Sequence, residues 1–166
     1  MVIQQQLAYD ITDAFGELIQ ILSALNSDQL NTAPSADSWT VGQVAEHVMK
    51  SSSGIPDQNT SQANRPFDEN LIIIRDIFEN MDLKAKADPA LWPSHPPHET
   101  EALIQALEQN KQALLPIALE KDLEALCLDM EFPTIGQLTR FEWLNFIVVH
   151  TRRHTRQVRH ILQQIS

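Results

Sequence analysis

Apolar residues recur at intervals of three and four positions along most of this chain. Such spacing places them on one face of an α-helix, whereas a half-buried strand would alternate apolar and polar residues. The sequence has only 4 glycines, so residues that interrupt helices are rare. The first run predicts a long amphipathic helix ending near Asn26, with the apolar members Leu7, Ile11, Ala14, Phe15, Leu18, Ile21, Leu22 and Leu25.

Two later helices are indicated by their N-terminal caps. Residues 40–43 read Thr-Val-Gly-Gln and residues 139–142 read Thr-Arg-Phe-Glu. Both have the form of a capping box, in which the two polar side chains satisfy backbone N–H groups that the first helical turn leaves unpaired. We therefore predict one helix from this first cap to about residues 51–53, and a second from Thr139 to Ile165.

The middle of the chain carries two weaker helical patterns. One runs from Leu71 to Met81 with Asp68 as its cap, and the other begins with Thr100 as its cap. Pro116 should kink or divide the latter, because proline lacks a backbone N–H and clashes with the preceding turn, leaving residues 117–128 as a separate piece. The sequence thus predicts an all-α, four-helix bundle with long connections, forming a single domain over residues 1–166. The predicted loops are 27–38, 54–66 and 87–99.

Composition excludes several classes of function. A net charge of -10 disfavours nucleic-acid binding, which draws its affinity from Lys and Arg side chains on phosphates. No stretch is apolar for long enough to span a membrane, and the first residues lack the pattern of a signal peptide, so we expect a cytoplasmic protein. Cys127 is the single cysteine, which excludes an internal disulfide and a Cys-rich zinc site; we expect it to be a buried apolar residue.

Two histidines occupy an apolar helical stripe. His150 and His154 are four residues apart, so their side chains differ by about 40° around the helix axis and lie one turn apart. Trp143, Ile147 and Ile161 fall on the same face, which should point into the bundle. Two neutral imidazoles in such a place have four ring nitrogens to satisfy, and a metal ion that takes one nitrogen from each ring meets this need.

His47 is the natural third ligand, because it lies on a separate predicted helix beside that helix's apolar face. Three neutral histidines with open positions suit zinc, nickel or another first-row divalent ion. His95 and His98 form a rival pair in the proline-rich loop, where we expect them to be solvated, and His160 falls off the shared face. The alternative interpretation is that all these histidines are ordinary packing or hydrogen-bonding groups.

The order of the motifs resembles the DinB/YfiT-like superfamily. The resemblance is carried by residues 39–47 (Trp-Thr-Val-Gly-Gln-Val-Ala-Glu-His), by 132–139 (Phe-Pro-Thr-Ile-Gly-Gln-Leu-Thr) followed by Glu142-Trp143, and by His150-x-x-x-His154-x-x-Gln157. It implies a four-helix bundle with a three-histidine metal site, and the matching positions are His47, His150 and His154. The chain departs from the pattern at Phe132-Pro133, where relatives often carry His-Pro.

The same resemblance implies a range of activities. Members include metal-dependent transferases and isomerases that use low-molecular-weight thiols such as bacillithiol or mycothiol, and others described as metal-dependent hydrolases. The leading hypothesis is therefore transfer of such a thiol to an electrophilic small molecule, with zinc or nickel as the ion. A hydrolase is an alternative, and so is a non-catalytic bundle that binds metal or a small ligand. A homodimer is also compatible with the sequence.

Three further residues are candidates for assisting catalysis. Gln157 shares the histidine face, where it could contact a ligand, a substrate or one of the histidines. Arg153 is the C-terminal arginine best placed to meet an anionic substrate. Glu46 precedes His47 but points about 100° away from it, so a role as a base would require a favourable bend.

Overall fold

A computed structural model describes residues 2–84 and 86–166 of the chain. Within these ranges the fold is an all-α bundle, with one minimal β-ribbon. The helices are α1 (Val2–Ser23), α2 (Ser27–Asn31), α3 (Val41–Ser51), α4 (Leu71–Glu79), α5 (Thr100–Glu120) and α6 (Arg140–Ile165). The strands β1 (Thr60–Ser61) and β2 (Leu126–Cys127) pair antiparallel, and Pro89–Leu91 form a single 3₁₀ turn.

The four longer helices α1, α3, α5 and α6 form the bundle. α1 packs on α5 and α6, α3 packs on the same two helices, and α4 lies along the outside of α6. The predicted apolar face of α1 is confirmed from Leu7 to Leu22, whose members are buried except for the partly exposed Ile21. The helix ends at Ser23, so the predicted end near Asn26 and the place of Leu25 on this face were wrong. Burial of this stripe with the apolar faces of α3, α5 and α6 stabilises the bundle by about 25 cal/mol for each Å² of apolar surface removed from water.

Both capping boxes form as predicted. The Thr40 hydroxyl accepts from the Gln43 backbone N–H while the Gln43 side chain accepts from the Thr40 backbone, both at 3.0 Å. Thr139 and Glu142 repeat the arrangement at the start of α6. These caps fix the first turns of the two helices that carry the predicted metal ligands.

Four further local predictions were wrong. Residues 27–31 form α2 rather than a loop, because Asn26 makes a capping box with Gln29. α4 begins after Asn70, without a side-chain cap from Asp68, and Thr100 is the first residue of α5 rather than its cap. Pro116 does not divide α5, which continues to Glu120, since Leu114 and Ala118 on either side of it are buried in the core.

Glu142 also anchors the connection between β1 and α4. Its side chain is fully buried and accepts hydrogen bonds from both terminal nitrogens of Arg65, at 3.1 and 2.7 Å, and from the backbone N–H of Asn70 at 2.6 Å. The Arg65 guanidinium also donates to the carbonyl of Gln137. One carboxylate therefore caps α6 and holds the neighbouring loop against it.

Among the described residues, no helix is both long enough and apolar enough to cross a membrane.

Candidate metal centre

Three imidazoles from two helices meet inside the bundle. His47 comes from α3, and His150 and His154 come from consecutive turns of α6. The Nε2 atom of His150 lies 3.3 Å from that of His47 and 3.1 Å from that of His154. Each of the three offers one ring nitrogen, and these atoms all lie within 4.8 Å of one another. The convergence predicted from helix geometry is therefore present.

The surroundings keep these rings neutral. His47 and His150 are buried, and His154 is partly exposed at the edge of the site. Burial lowers the pKa of all three, because an imidazolium ion is poorly solvated inside the bundle. The pKa of His154 falls to about 4, and that of His150 lies well below its usual value because the neighbouring His154 and His47 add charge repulsion to the effect of burial.

The outward-facing nitrogens of two rings are fixed by hydrogen bonds. Nδ1 of His47 lies 2.8 Å from the carbonyl oxygen of Leu91, and Nδ1 of His154 lies 2.7 Å from Oε1 of Gln157. The Leu91 carbonyl can only accept, so the proton of His47 lies on Nδ1 and its Nε2 carries a lone pair directed at His150. Acceptance by Oε1 of Gln157 gives His154 the same tautomer. Gln157 lies near the histidines as the sequence predicted, and its side chain contacts Nδ1 of His154.

This arrangement fits a divalent cation. His150 can place at most one proton on its Nε2, and that proton cannot satisfy the lone pairs of His47 and His154 with good geometry at the same time. A cation at the point where the three nitrogens converge would accept all three lone pairs. Neutral nitrogen donors whose other ring nitrogens are hydrogen-bonded are the usual donor set for zinc and related first-row ions.

Aromatic rings form one wall of the centre. The Phe146 and Phe78 rings lie 5.1 and 5.8 Å from that of His150, centroid to centroid, and Trp39 lies 5.4 Å from His47. Phe132 packs against both phenylalanines at the same wall. This apolar surface keeps water from the buried side of the histidines, so the local dielectric constant is low and charge interactions are strong.

The pKa values predict that the metal-free protein is destabilised by mild acid. An unfolded histidine titrates near about 6.5, whereas His154 in the folded chain titrates near about 4. Between these values the unfolded chain binds more protons, so stability is fully present above about pH 6.5 and falls as the pH decreases towards 4. Urea unfolding in the presence of a chelator should show that the free energy of unfolding decreases as the pH falls. The decrease should be smaller in His154→Ala, which lacks this titrating group. A urea midpoint that is unchanged between about pH 7.5 and 5 would contradict the prediction.

Glu46 is held away from the histidines. Its carboxylate accepts hydrogen bonds from the backbone N–H and hydroxyl of Ser94 and from Nε2 of His98, and it forms an ion pair with Lys50 at 3.1 Å. Burial alone would raise its pKa, but these contacts outweigh burial and lower the pKa to about 2. So acidic a carboxyl is a weak proton acceptor at neutral pH, which disfavours the role of base considered from the sequence.

The expectation that His98 is solvated was wrong. Its side chain is only 7% exposed, and its Nε2 donates to Glu46 at 2.6 Å. His95 and His160 are exposed, and neither belongs to the three-histidine group. Sequence reasoning missed the Leu91 carbonyl, because a backbone acceptor in a loop leaves no residue pattern.

Arg153 lies beside the centre with its guanidinium already engaged. It donates to the carbonyl of Asn80 at 2.7 Å and also to those of Phe78 and Leu83, so it caps the C-terminal end of α4. Its proposed contact with an anionic substrate stays a prediction. Cys127 is fully buried, which confirms the expectation of a buried apolar residue, and burial raises the pKa of its thiol to about 11, which disfavours a thiolate at neutral pH.

The sequence of the bundle matches a known protein family along most of its length. A family model for the DinB superfamily matches residues 11–158, nearly the whole bundle including all three histidines. The chain belongs to the DinB superfamily. Membership confirms the resemblance seen in the motifs, and it is compatible with a metal centre at the three histidines.

A comparison with curated proteins finds a distant relative. The uncharacterised protein YuaE of Bacillus subtilis (strain 168) is 22% identical over 152 residues, which cover 87% of this chain and 90% of YuaE. The similarity therefore extends along almost the full length of both proteins. No solved structure matches the sequence at a comparable level of significance.

Proposed function

We propose that His47, His150 and His154 bind one divalent metal ion, zinc or nickel, and that the centre transfers a low-molecular-weight thiol to an electrophilic small molecule. The single observation that carries the proposal is the convergence of three Nε2 atoms from two helices, in which two of the rings have Nδ1 within hydrogen-bond distance of an oxygen. The choice of thiol transfer rests on the resemblance to thiol-using members of the superfamily.

The chain's own residues supply binding, orientation and exclusion of water. A bound divalent ion with open positions lowers the pKa of a thiol or water, and so provides a nucleophile near neutral pH. The three histidines add no charge of their own, so the positive charge of the site is retained for the substrate. Leu91 and Gln157 hold two of the rings in orientation, and the phenylalanine wall shields the buried side of the site.

The overall charge disfavours a nucleic-acid partner. A net charge of -10 repels phosphate backbones, and we propose no role in nucleic-acid binding. We further propose a cytoplasmic location, a reducing compartment in which the single buried cysteine would remain a free thiol.

Thiol transfer is tested with a fluorogenic electrophile. Purified protein reconstituted with zinc or nickel is assayed with monochlorobimane and a panel of thiols that includes bacillithiol, mycothiol, glutathione and cysteine. We expect at least one thiol to react faster than in the absence of protein, and a chelator or His150→Ala to remove that acceleration. Rates that are indifferent to metal removal would contradict the proposal, and turnover of ester or amide substrates alone would favour a hydrolase.

A further inference from the structure

The segment from Asp88 to His98, here called the latch segment, lies along one face of α3. Four α3 residues at helical spacing form hydrogen bonds with it. Gln43 donates to the carbonyl of Ser94, Glu46 accepts from Ser94 and His98, His47 bonds the carbonyl of Leu91, and Lys50 donates to the carbonyl of Trp92 at 2.8 Å.

Glu46 is the centre of this contact. Both of its oxygens lie 3.1 Å from the backbone nitrogen of Ser94, and one accepts from the Ser94 hydroxyl at 2.7 Å and from His98 at 2.6 Å. Hydrogen bonds to an ionised group are about twice as strong as neutral ones, and these are partly buried. The far end of the segment is fixed by Asn31, whose amide oxygen accepts from the backbone N–H of His98 at 2.6 Å while its amide nitrogen donates to the His98 carbonyl.

Gly42 makes room for His98. A Cβ atom on Gly42 would lie 2.8 Å from the Cβ of His98 and 3.0 Å from its Cγ, closer than such atoms approach one another. Because Cβ cannot swing away as the tip of a side chain can, an alanine here must displace the backbone around His98. Gly42 therefore permits the latch segment to sit directly on the first turn of α3.

The consequence reaches a predicted metal ligand. Leu91 lies three residues before Ser94, and its carbonyl is the group that requires the proton of His47 to reside on Nδ1. If the latch segment moved away, Nδ1 of His47 would lose its acceptor and the proton could transfer to Nε2, the atom that must be free to bind a cation.

We propose that the latch segment is a positioning element of the metal centre, and that Glu46 and Gly42 are the α3 residues that hold it there. Both residues act through Leu91 and His47 and are positioning residues. The proposal rests on the metal-binding function proposed above. In this role, the latch segment selects the tautomer of His47 that can bind the ion.

The test compares two glycine-to-alanine variants. Gly42→Ala should displace the latch segment, whereas Gly16→Ala is the control, because that glycine also lies within a helix and its added Cβ would meet no atom within 4 Å. We expect Gly42→Ala to weaken zinc binding by about 10–100-fold, the range typical of outer contacts to a metal ligand, and Gly16→Ala to leave it unchanged. Glu46→Gln is a second variant that keeps every Cβ in place and should weaken binding in the same direction.

A second readout needs no metal. Imidazole ¹⁵N chemical shifts of the metal-free protein report which nitrogen of His47 is protonated. We expect Nδ1–H in the parent and in Gly16→Ala, and a gain of the Nε2–H form in Gly42→Ala and Glu46→Gln. Unchanged tautomers in both variants would overturn the positioning role. A parent protein that binds no zinc, yet shows the tautomer change, would overturn the proposed metal function while supporting the control of His47 by the latch segment.

Discussion

Replacing His150 with alanine is expected to abolish stoichiometric binding of a divalent ion. His150 is the middle member of the group, with its Nε2 within 3.3 Å of both other Nε2 atoms. Its loss leaves one nitrogen donor on each of two helices. Loss of a group that merely orients a ligand typically weakens metal binding by about 10–100-fold, so loss of the ligand itself should lower the metal affinity by more than about 100-fold. Elemental analysis of untagged protein, followed by competition with a chromophoric chelator for zinc and nickel, measures this directly.

The matched control is His160→Ala on the same helix. His160 is exposed and lies outside the three-histidine group, so its removal should change neither metal content nor affinity. Zinc at 100 times its dissociation constant should stabilise the parent by about 2.7 kcal/mol, a gain that His150→Ala should lack. Equal metal content and equal stabilisation in parent and His150→Ala would show that these histidines are only packing groups.

Replacing Glu142 with alanine is expected to destabilise the fold by about 3–5 kcal/mol. Its buried carboxylate caps α6 and pairs with Arg65, whose side chain is 21% exposed. Without it, the largely buried Arg65 charge keeps only the longer contact with the exposed Glu69, and the backbone N–H groups of Asn70 and Thr139 lose their acceptor. Urea unfolding of the parent and the variant at neutral pH gives this difference, provided that the free energy of unfolding depends equally steeply on urea concentration in both proteins.

Glu69→Ala is the control for this change because Glu69 also contacts Arg65. That contact is longer, at 3.6 Å, and the Glu69 side chain is 52% exposed, so its removal should cost no more than about 1 kcal/mol. Similar losses for Glu69→Ala and Glu142→Ala would contradict the conclusion that the buried carboxylate is the anchor between α6 and the loop before α4.

The sequence predicted the elements whose signals are local. The capping boxes at Thr40 and Thr139 are short-range patterns with a direct hydrogen-bonding cause, and both formed as expected. The placement of His150 and His154 on one face of α6 follows from helix geometry alone. Their meeting with His47 required an assumption about how two helices pack, and the observed distances agree with it.

The errors arose where tertiary contacts outweigh local preference. Pro116 removes one hydrogen bond within α5, yet the buried neighbours Leu114 and Ala118 keep the helix continuous. His98 lies in a polar, proline-rich stretch, but a hydrogen bond to Glu46, 52 residues earlier, holds it inside the protein. No periodic pattern records such a pairing, and so the latch segment could be found only from coordinates.

Anomalous diffraction at the absorption edge of the metal, from crystals of protein reconstituted with zinc or nickel, would locate the bound ion. We expect a single strong peak at the point where the Nε2 atoms of His47, His150 and His154 converge. A peak elsewhere on the protein, or none at a concentration of metal that saturates binding in solution, would contradict it.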